Sequence, residues 1–584
     1  MSAKDTPAFL DGIRHSLAHL LAAAVLKEFP DAKLAIGPTI ENGFYYDFLL
    51  PRSLSPEDLK GFEKTMRKLA AQNLPFAGEE VTVDEAKKRF AAQPFKLELI
   101  DEFSAADKKL TVYRTGDVFS DLCRGGHVEN TREIPLDGFM LEKIAGAYWR
   151  GDEKRPMLQR IYGLAFESKA KLDEYLALQE EAKKRDHKVL GRQLKLFTIS
   201  DLIGAGLPLI QPRGMIIRKA IEDYLWELHR GKGYSRVWTP HIAKEALYLT
   251  SGHAAKFGDE LFRVQGKEEK FFIKPMSCPH HMEIFADNQL SYRDMPVRYF
   301  EAATVYRDEK SGELGGLTRV RSITQDDGHL FCRVSQIKDE VKTIAGIIKE
   351  FYGTMGMLTD YWVSLSVRGD DRSKYLGTDA NWIAAETALE EAARGAALPY
   401  RRIEGEAAFY GPKLDFMFKD AIGRQWQLGT IQCDFNLPER FDLSFTNEKG
   451  EKERPVVIHR AISGSLERFM GVLIEHFAGA FPLWLAPVQV AILPVSEKFT
   501  AYAAKVRETL DAADIRTELA EANESLGKRI REAQLMKAPY ILVVGEKEVE
   551  AGTVNVRNRK GEERALTLET FAAQISKEVK EKAR

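Results

Sequence analysis

The chain has 584 residues, a hydrophobic fraction of 44%, a charged fraction of 29% and a formal net charge of −2. It is too long for one core and calls for about three or four domains of an ordinary soluble, globular kind. Its near-neutral charge gives no global sign of a nucleic-acid partner, although a local basic stripe would suffice for one.

Cys123, Cys278, Cys332 and Cys433 stand far apart without a CxxC pair. That excludes a disulfide framework or a zinc ribbon and suits a reducing cytoplasm. "MSAKDTPAFLDG" has no basic segment leading into an apolar run, and no stretch stays apolar for the ~18 residues of a membrane span. A cytoplasmic protein with no membrane partner is therefore expected.

In chain order, residues 13–165 mix short strands and helices, among them "IRHSLAHLL", "FYYDF" and "GAYWRGD". In the first of these, His15 and His19 lie four apart, about one helical turn, and share a face. A metalloprotease helix would read HExxH with glutamate beside the first histidine. Ser16 occupies that place, so the protease reading fails. A different hydrolytic site, or two core histidines on an amphipathic helix, stay open.

Residues 167–197 carry Leu172, Tyr175 and Leu176 as a narrow apolar stripe amid alternating charge, which predicts one long exposed helix between domains. Its basic residues could touch RNA or simply be solvated. Residues 214–230 place Ile217, Ile221, Tyr224, Leu225 and Leu228 at helical spacing. "GKGYSRVWTP" then breaks the helix and leads into a strand ending at Pro240. From 270 to 480 strand-like alternation dominates until "SGSLERFMGVLIEHF" turns helical.

Within that region "TRVRSITQDDGHLFC" predicts a strand with Arg319, Arg321, Ile323, Gln325, Asp327 and His329 on one face, poor material for a core. "PVRYFEAATVYRDEKSGELGGLTR" predicts a hairpin with Arg307 at the end of its first arm. "VIHRAISGSLERFMGVLIEHF" runs from strand to helix with Arg468 near the helix start. Arginine suits a triphosphate, since its planar fork pairs with phosphate oxygens and stays charged. From about residue 485, strand and helix alternate as in a small α/β domain.

A hairpin arginine, then a strand-to-helix arginine, after a long helix and a strand ending in proline, resembles the three motifs of class II aminoacyl-tRNA synthetases. Arg307, Arg468 and Pro240 match motifs 2, 3 and 1. The class I signatures HIGH and KMSKS are absent, and "SLGKRI" is a bare GK rather than a P-loop. "IKPMSCPHH", "TQDDGHLFC", "AFYGPKLDF" and "PVVIHRAISGSLERF" are similar to the threonyl-tRNA synthetase family, and the resemblance runs from residue 13 to the end.

The resemblance implies a multidomain α+β fold. An editing domain (1–165), a helical linker (166–197), a catalytic domain with an antiparallel sheet flanked by helices (198–484) and an α/β anticodon-binding domain (485–584) are expected. It implies ATP-dependent activation of threonine to threonyl-adenylate and transfer to threonine tRNA, with Mg²⁺ on the triphosphate. Arg307, Arg319, Arg468 and Gln325 would serve catalysis. Arg307, Glu309, Arg319, Gln427, Thr430 and Arg468 would bind ATP. One zinc ion would sit on Cys278, His329 and His459, with Asp327, Tyr410, Gln432 and Lys413 around threonine. His253 and Ser465 match the same pattern.

Valine is nearly isosteric with threonine but has no hydroxyl for zinc to take. Serine has one and lacks only a methyl, worth roughly 1–3 kcal/mol or about 10–200-fold, so a hydrolytic second sieve is expected. "HSLAH" pairs with "SDLCRGGHVEN", similar to the HxxxH and CxxxH signature of the editing domain shared by threonyl and alanyl enzymes. His15, His19, Cys123 and His127, with Tyr46, Lys96 and Asp121, would hydrolyse seryl-tRNA without a tightly held metal. Asn523, Glu548 and Arg557 would contact the anticodon, with "KRIREAQLMK" as a basic face for phosphates. A homodimer through the motif 1 helices is implied.

Three departures stand out. Because the resemblance starts almost directly at the editing domain, the small N-terminal domain common in bacterial relatives is expected to be missing. Ile323 replaces a phenylalanine that stacks on adenine in the family, and "CPHH" replaces CPGH, placing His280 beside an implied zinc ligand. A duplicated regulator would have lost an ATP arginine or a zinc ligand, and a free-standing deacylase would keep only the first half. Neither loss is seen.

Overall fold

The computed structural model describes residues 6–106 and 108–583; residues 1–5, on which the expectation of no leader segment partly rests, lie outside them. The chain divides into two compact units, Met1–Glu180 and Glu181–Arg584.

The first unit is built on helix α1 (Pro7–Glu28), which starts cleanly because Pro7 sits in its first turn and the Thr6 hydroxyl accepts from the Phe9 N–H. Among the described residues α1 is the one helix long and apolar enough to cross a bilayer. However, 67% of its apolar window is buried inside the protein, as in a core helix. Leu17, Leu20, Leu21 and Val25 are fully buried with Phe44 and Phe48 of strand β1 (Gly43–Leu49) and Phe62 of helix α2 (Pro56–Ala70).

Strand β2 (Phe76–Val81), helix α3 (Pro94–Ala105), and strands β3 (Leu110–Thr115) and β4 (Phe119–Leu122) follow. β2, β3 and β4 form a three-stranded antiparallel sheet. Strands β5 (Phe139–Tyr148) and β6 (Met157–Ala165) complete the other sheet, in which β6 lies between β1 and β5.

The expected single helix over 167–197 is two, α4 (Lys169–Arg185) and α5 (His187–Gln193). Asp186 breaks the run. Its carboxylate accepts from the Lys188 N–H and caps α5, and a capping residue needs non-helical backbone.

In the second unit, after α5, comes α6 (Pro212–Arg230), whose five spaced apolar residues are buried as expected. The strand expected to end at Pro240 is only β7 (Ser235–Arg236). Then come helix α7 (Cys278–Ala286), strands β8 (Val297–Tyr306) and β9 (Ser322–Cys332), and helix α8 (Ile337–Thr354). Strand β10 (Trp362–Val367), helix α9 (Asp379–Gly395), strands β11 (Tyr400–Glu404), β12 (Lys413–Lys419), β13 (Gln425–Asp434) and β14 (Val456–Ala461), and helix α10 (Leu466–His476) complete this part.

The strands form one sheet in the order β7-β8-β9-β14-β13-β12-β10-β11. It is antiparallel except at its edges, where β7 runs parallel to β8 and β11 to β10. Helices α7, α8 and α9 correct the expectation of strand alternation from 270 to 480. In α8 the buried Ile337, Val341, Ile344, Ile348 and Phe351 recur every three or four residues. That helical period outweighs the strand preference of β-branched residues.

Beyond α10, β15 (Val490–Pro494), α11 (Thr500–Ala512), β16 (Thr517–Leu519), α12 (Leu526–Leu535), β17 (Tyr540–Val544), β18 (Thr553–Asn558), β19 (Glu563–Thr567) and α13 (Leu568–Lys580) make the expected α/β arrangement. The sheet order is β16-β15-β17-β18-β19, over a core of Val490, Ile492, Val506, Leu542, Val554 and Phe571.

Candidate functional site

Directly opposed residues of antiparallel neighbours point to the same face. The register of the large sheet aligns Tyr299 with His329, His329 with His459, His459 with Gln432 and Gln432 with Lys413. One row across five strands thus gathers residues far apart in sequence. Asp327 lies two positions from His329 on the same face, opposite Glu301 of β8.

Cys278, at the start of α7, joins the two histidines of this row. The thiol and one nitrogen of each ring lie within 4.8 Å of one another, and all three residues are buried. Two carboxylates settle the tautomers. His459 Nε2 donates to Asp434 Oδ2 at 3.0 Å, leaving Nδ1 bare. His281 Nε2 donates to Glu301 Oε2 at 3.1 Å, so its Nδ1 can only accept, and it accepts from His329 Nδ1 at 2.7 Å. His329 Nε2 is then bare as well. These two atoms, His329 Nε2 and His459 Nδ1, are buried without any hydrogen-bond partner. A thiol and two bare imidazole nitrogens, each ring backed by a hydrogen bond, fit a zinc ion with an open position.

Glu301 in turn accepts from the Thr239 backbone N–H at 2.8 Å and faces the buried Lys274 ammonium at 3.5 Å. Around the triad, Ser277 Oγ donates to Asp327 Oδ2, and Tyr410 stacks on His459 at 4.8 Å and donates to Gln432 Oε1 at 2.5 Å. His253 Nε2 lies 3.3 Å from Cys278 Sγ. His280 does not join the cluster; both its ring nitrogens are buried without partners, burial pushes it down to about 4, and its ring lies 6.1 Å from Tyr248.

A cleft of about 240 Å³ opens beside this triad, lined by His253, Phe257, Arg307, Tyr410, Lys413, Gln427, Thr430 and Gln432. Arg307 follows β8. Its guanidinium lies 4.9 Å from the Phe257 ring centroid and donates to Met276 Sδ at 2.9 Å, while Nε is buried with no partner. Burial lowers its pKa, and no carboxylate pairs with it directly. Thr430 donates to Asp415 Oδ1 at 2.9 Å, and Lys413 also pairs with Asp415.

Arg319, Glu309 and Arg468 stand off the cleft wall as a second group. Arg319 donates to Glu309 Oε2 at 2.7 Å and to Glu313 Oε2 at 2.5 Å. Arg468 Nε donates to the Thr318 carbonyl at 2.9 Å, and burial followed by the Arg319 charge lowers its pKa. Two arginines held close make an anion site in waiting. Ser465 caps α10 by accepting from the Arg468 N–H. Asp326, on the far face of β9, accepts from the Ile462 and Ser463 N–H groups and fixes the turn into that helix. The Gln325 backbone reaches this turn as well, forming a single antiparallel bridge with Ser465.

In the first unit a cavity of about 480 Å³ is lined by His15, His19, Lys96, Phe103, Asp121, Cys123 and Arg124, among others. His15 Nε2 lies 3.4 Å and His127 Nε2 3.2 Å from Cys123 Sγ. His15 and His127 stack at 4.2 Å. Although these side chains cluster as a ligand set would, the Cys123 thiol forms hydrogen bonds with both His15 and His127. His19 Nε2 has no partner. Burial lowers His15 and pushes His127 down to about 2, so both are neutral at pH 7; it pushes the Cys123 thiol up to about 11. Tyr46 donates to Asp121 Oδ2 at 2.5 Å, and the buried Lys96 ammonium meets Asp121 Oδ1 at 2.6 Å. Tyr46 and His127 stand behind the cavity wall.

The C-terminal candidates form no common cluster. Asn523 is exposed and donates to Glu521, Glu548 accepts from the Gly545 N–H at the start of a short helix, and Arg557 pairs with Glu563. Arg529 is lost to the expected basic face of α12, because it is buried and donates to the Glu524 and Pro494 carbonyls. His281, Glu301, Asp434, Ser277 and Phe257 were missed from the sequence. A glutamate amid the apolar "VRYFEAATVY" was the available signal.

Residues 262–477, which hold the whole metal triad, match the tRNA synthetase class II core domain (G, H, P, S and T). Residues 489–578 match an anticodon binding domain, and residues 110–162 the threonyl and alanyl tRNA synthetase second additional domain. A threonine–tRNA ligase of Gloeobacter violaceus is 51% identical over 571 residues, covering 96% of this chain and 91% of that protein. One of Thermus thermophilus is 48% identical, covering 100% and 90%. The crystal structure of the RNA binding domain of threonyl-tRNA synthetase from Cryptosporidium parvum Iowa II aligns with TM-score 0.65 and 36% identity, over 67% of this chain and 98% of that one. Identity of this extent over nine-tenths of each relative, with the core match spanning the buried thiol and both bare imidazoles, means that the chain belongs to the threonine–tRNA ligase family.

Proposed function

We propose that this ligase selects threonine at a zinc ion held by Cys278, His329 and His459, and clears seryl-tRNA in the cavity around His15. The observation that carries the proposal is the meeting of two bare, buried imidazole nitrogens with a thiol beside the cleft that Arg307 lines. Bound there, zinc would supply a Lewis acid with an open position, taking the amino and hydroxyl groups of threonine and rejecting valine.

Asp327 receives the amino group, while Tyr410, Gln432 and Lys413 wall the side chain and carboxylate. Arg307 meets the α-phosphate, and Arg319 and Arg468 meet the far end of the triphosphate with Mg²⁺. Glu309, Gln427 and Thr430 contact the nucleotide, and Gln325 orients the reacting groups. A threonine carboxylate oxygen attacks the α-phosphorus and pyrophosphate leaves. The terminal ribose hydroxyl of the tRNA then takes the acyl group and AMP leaves.

In the editing cavity His15 takes a proton from water, the hydroxide oxygen bonds to the seryl carbonyl carbon, and the acyl–oxygen bond breaks with the proton passing to the ribose oxygen. We assign residues 1–165 to editing, 166–197 to the linker, 198–484 to catalysis and 485–584 to the anticodon, where Asn523, Glu548 and Arg557 make contact. A cytoplasmic homodimer belongs to the same reading. The dimer is supported by Leu202, 98% exposed, and Trp238, 74% exposed, on either side of α6 in sequence.

The test is charging of threonine tRNA with threonine, valine and serine, before and after removal of zinc. Threonine charging that falls to background without zinc and returns with it is expected; charging indifferent to chelation would overturn the zinc reading. His281→Leu removes the acceptor behind His329. Zinc affinity is expected to fall about 10–100-fold in competition with a chromogenic chelator, and an unchanged affinity would refute the role given to His281.

A further inference from the structure

We propose that Ser16 is a positioning residue for editing: through His127 and Cys123 its hydroxyl orients a chain of hydrogen bonds that leaves His15 Nε2 as the base. The inference rests on the reading of this cavity as a hydrolytic site and goes beyond it by naming the residue that decides which atom accepts the proton.

The chain starts at a backbone group whose direction is fixed. The Val128 N–H donates to Ser16 Oγ at 3.2 Å. Among the described residues His127 Nδ1, also at 3.2 Å, is the one acceptor that the hydroxyl proton reaches, and a buried hydroxyl does not leave its proton unused. A neutral imidazole that accepts at Nδ1 carries its proton on Nε2, and His127 Nε2 lies 3.2 Å from Cys123 Sγ. The sulfur accepts from that N–H and from the Gly125 N–H at 3.3 Å. Its own proton is left for His15 Nε2 at 3.4 Å. His15 therefore carries its proton on Nδ1 and keeps a lone pair on Nε2.

Which of these groups meets substrate follows from the cavity wall. His15 and Cys123 line it, whereas Ser16 and His127 do not. Ser16 is fully buried, so it acts only through the ring beside it. A thiol is a weak donor, and a water entering the cavity displaces it from the lone pair of His15 Nε2. Without the Ser16 hydroxyl, His127 is free to carry its proton on Nδ1. Its Nε2 then turns from donor to acceptor toward Cys123, the thiol proton goes to His127 instead of His15, and the order of the chain is lost.

The test uses the full chain with Ser16→Ala. Deacylation of seryl-tRNA is expected to lose about tenfold in kcat with KM unchanged, as suits one oriented hydrogen bond, while threonine charging stays at the wild-type rate. Ser16→Thr, which keeps the hydroxyl, should restore most of the loss. Alkylation of Cys123, followed by mass spectrometry across pH, gives an independent readout. In Ser16→Ala the apparent thiol pKa should rise, because the thiolate loses an N–H donor and the thiol gains an imidazole acceptor.

Wild-type deacylation by Ser16→Ala would overturn the proposal and leave the hydrolytic reading intact. Absence of deacylation in the wild-type enzyme would instead overturn that reading. The alkylation profile would still decide the hydrogen-bond order, and identical profiles for the two proteins would refute it.

Discussion

An Arg307→Ala enzyme is expected to lose ATP–pyrophosphate exchange by about 10³-fold while keeping its zinc and its fold. The guanidinium lies against Phe257 and Met276, with Nε buried and unpartnered and no carboxylate bonded to it. A cation held in this way is incompletely compensated until an anion arrives. Its removal should therefore leave the thermal midpoint of the free enzyme unchanged or raise it, opposite to the usual sign for a half-buried residue. Arg307→Lys keeps the charge but not the planar fork, and should fall between the two. An Arg307→Ala enzyme that exchanges at wild-type rate, with its zinc content confirmed, would remove Arg307 from the phosphate site.

Replacing His15 by alanine is expected to slow seryl-tRNA hydrolysis by about 10²–10⁴-fold, the usual worth of a general base, and to let seryl-tRNA accumulate. Threonine charging should be untouched. The pH dependence follows from burial, which lowers the His15 pKa below its ordinary value. The base works when neutral, so hydrolysis should stay level as pH falls to about 6.5 and decline only below it. A decline already half complete at pH 6.5 would identify an exposed histidine instead. Hydrolysis by His15→Ala at the wild-type rate would sink His15 as the base.

The sequence made legible those features that depend on neighbours along the chain. α1, α6 and the turn from β14 into α10 are each announced by apolar spacing, by a proline at the helix start or by a serine cap. The polar face of β9 stood out because arginine, glutamine, aspartate and histidine rarely share a strand face without a purpose.

What could not be read locally was the metal triad. Its members come from α7, β9 and β14 and meet only through strand register, which a single sequence does not display. Only likeness to a family brought Cys278, His329 and His459 together. The groups behind them, His281, Glu301 and Asp434, had no such pointer. The helices between 270 and 480 were hidden for a different reason. In α8 the repeated isoleucines resemble strand material unless their three-and-four spacing is counted, and in α9 the apolar stripe is mostly alanine.

The row from Tyr299 through His329, His459 and Gln432 to Lys413 has a consequence for how the enzyme can fail. Side chains alternate between the two faces of a strand, so displacing β14 by one residue would carry His459 away from its neighbours and put Arg460 or Ile458 in its place. That single step takes one of three residues from the proposed metal site. A newly made chain with β14 one residue out of register therefore lacks the means proposed for choosing threonine.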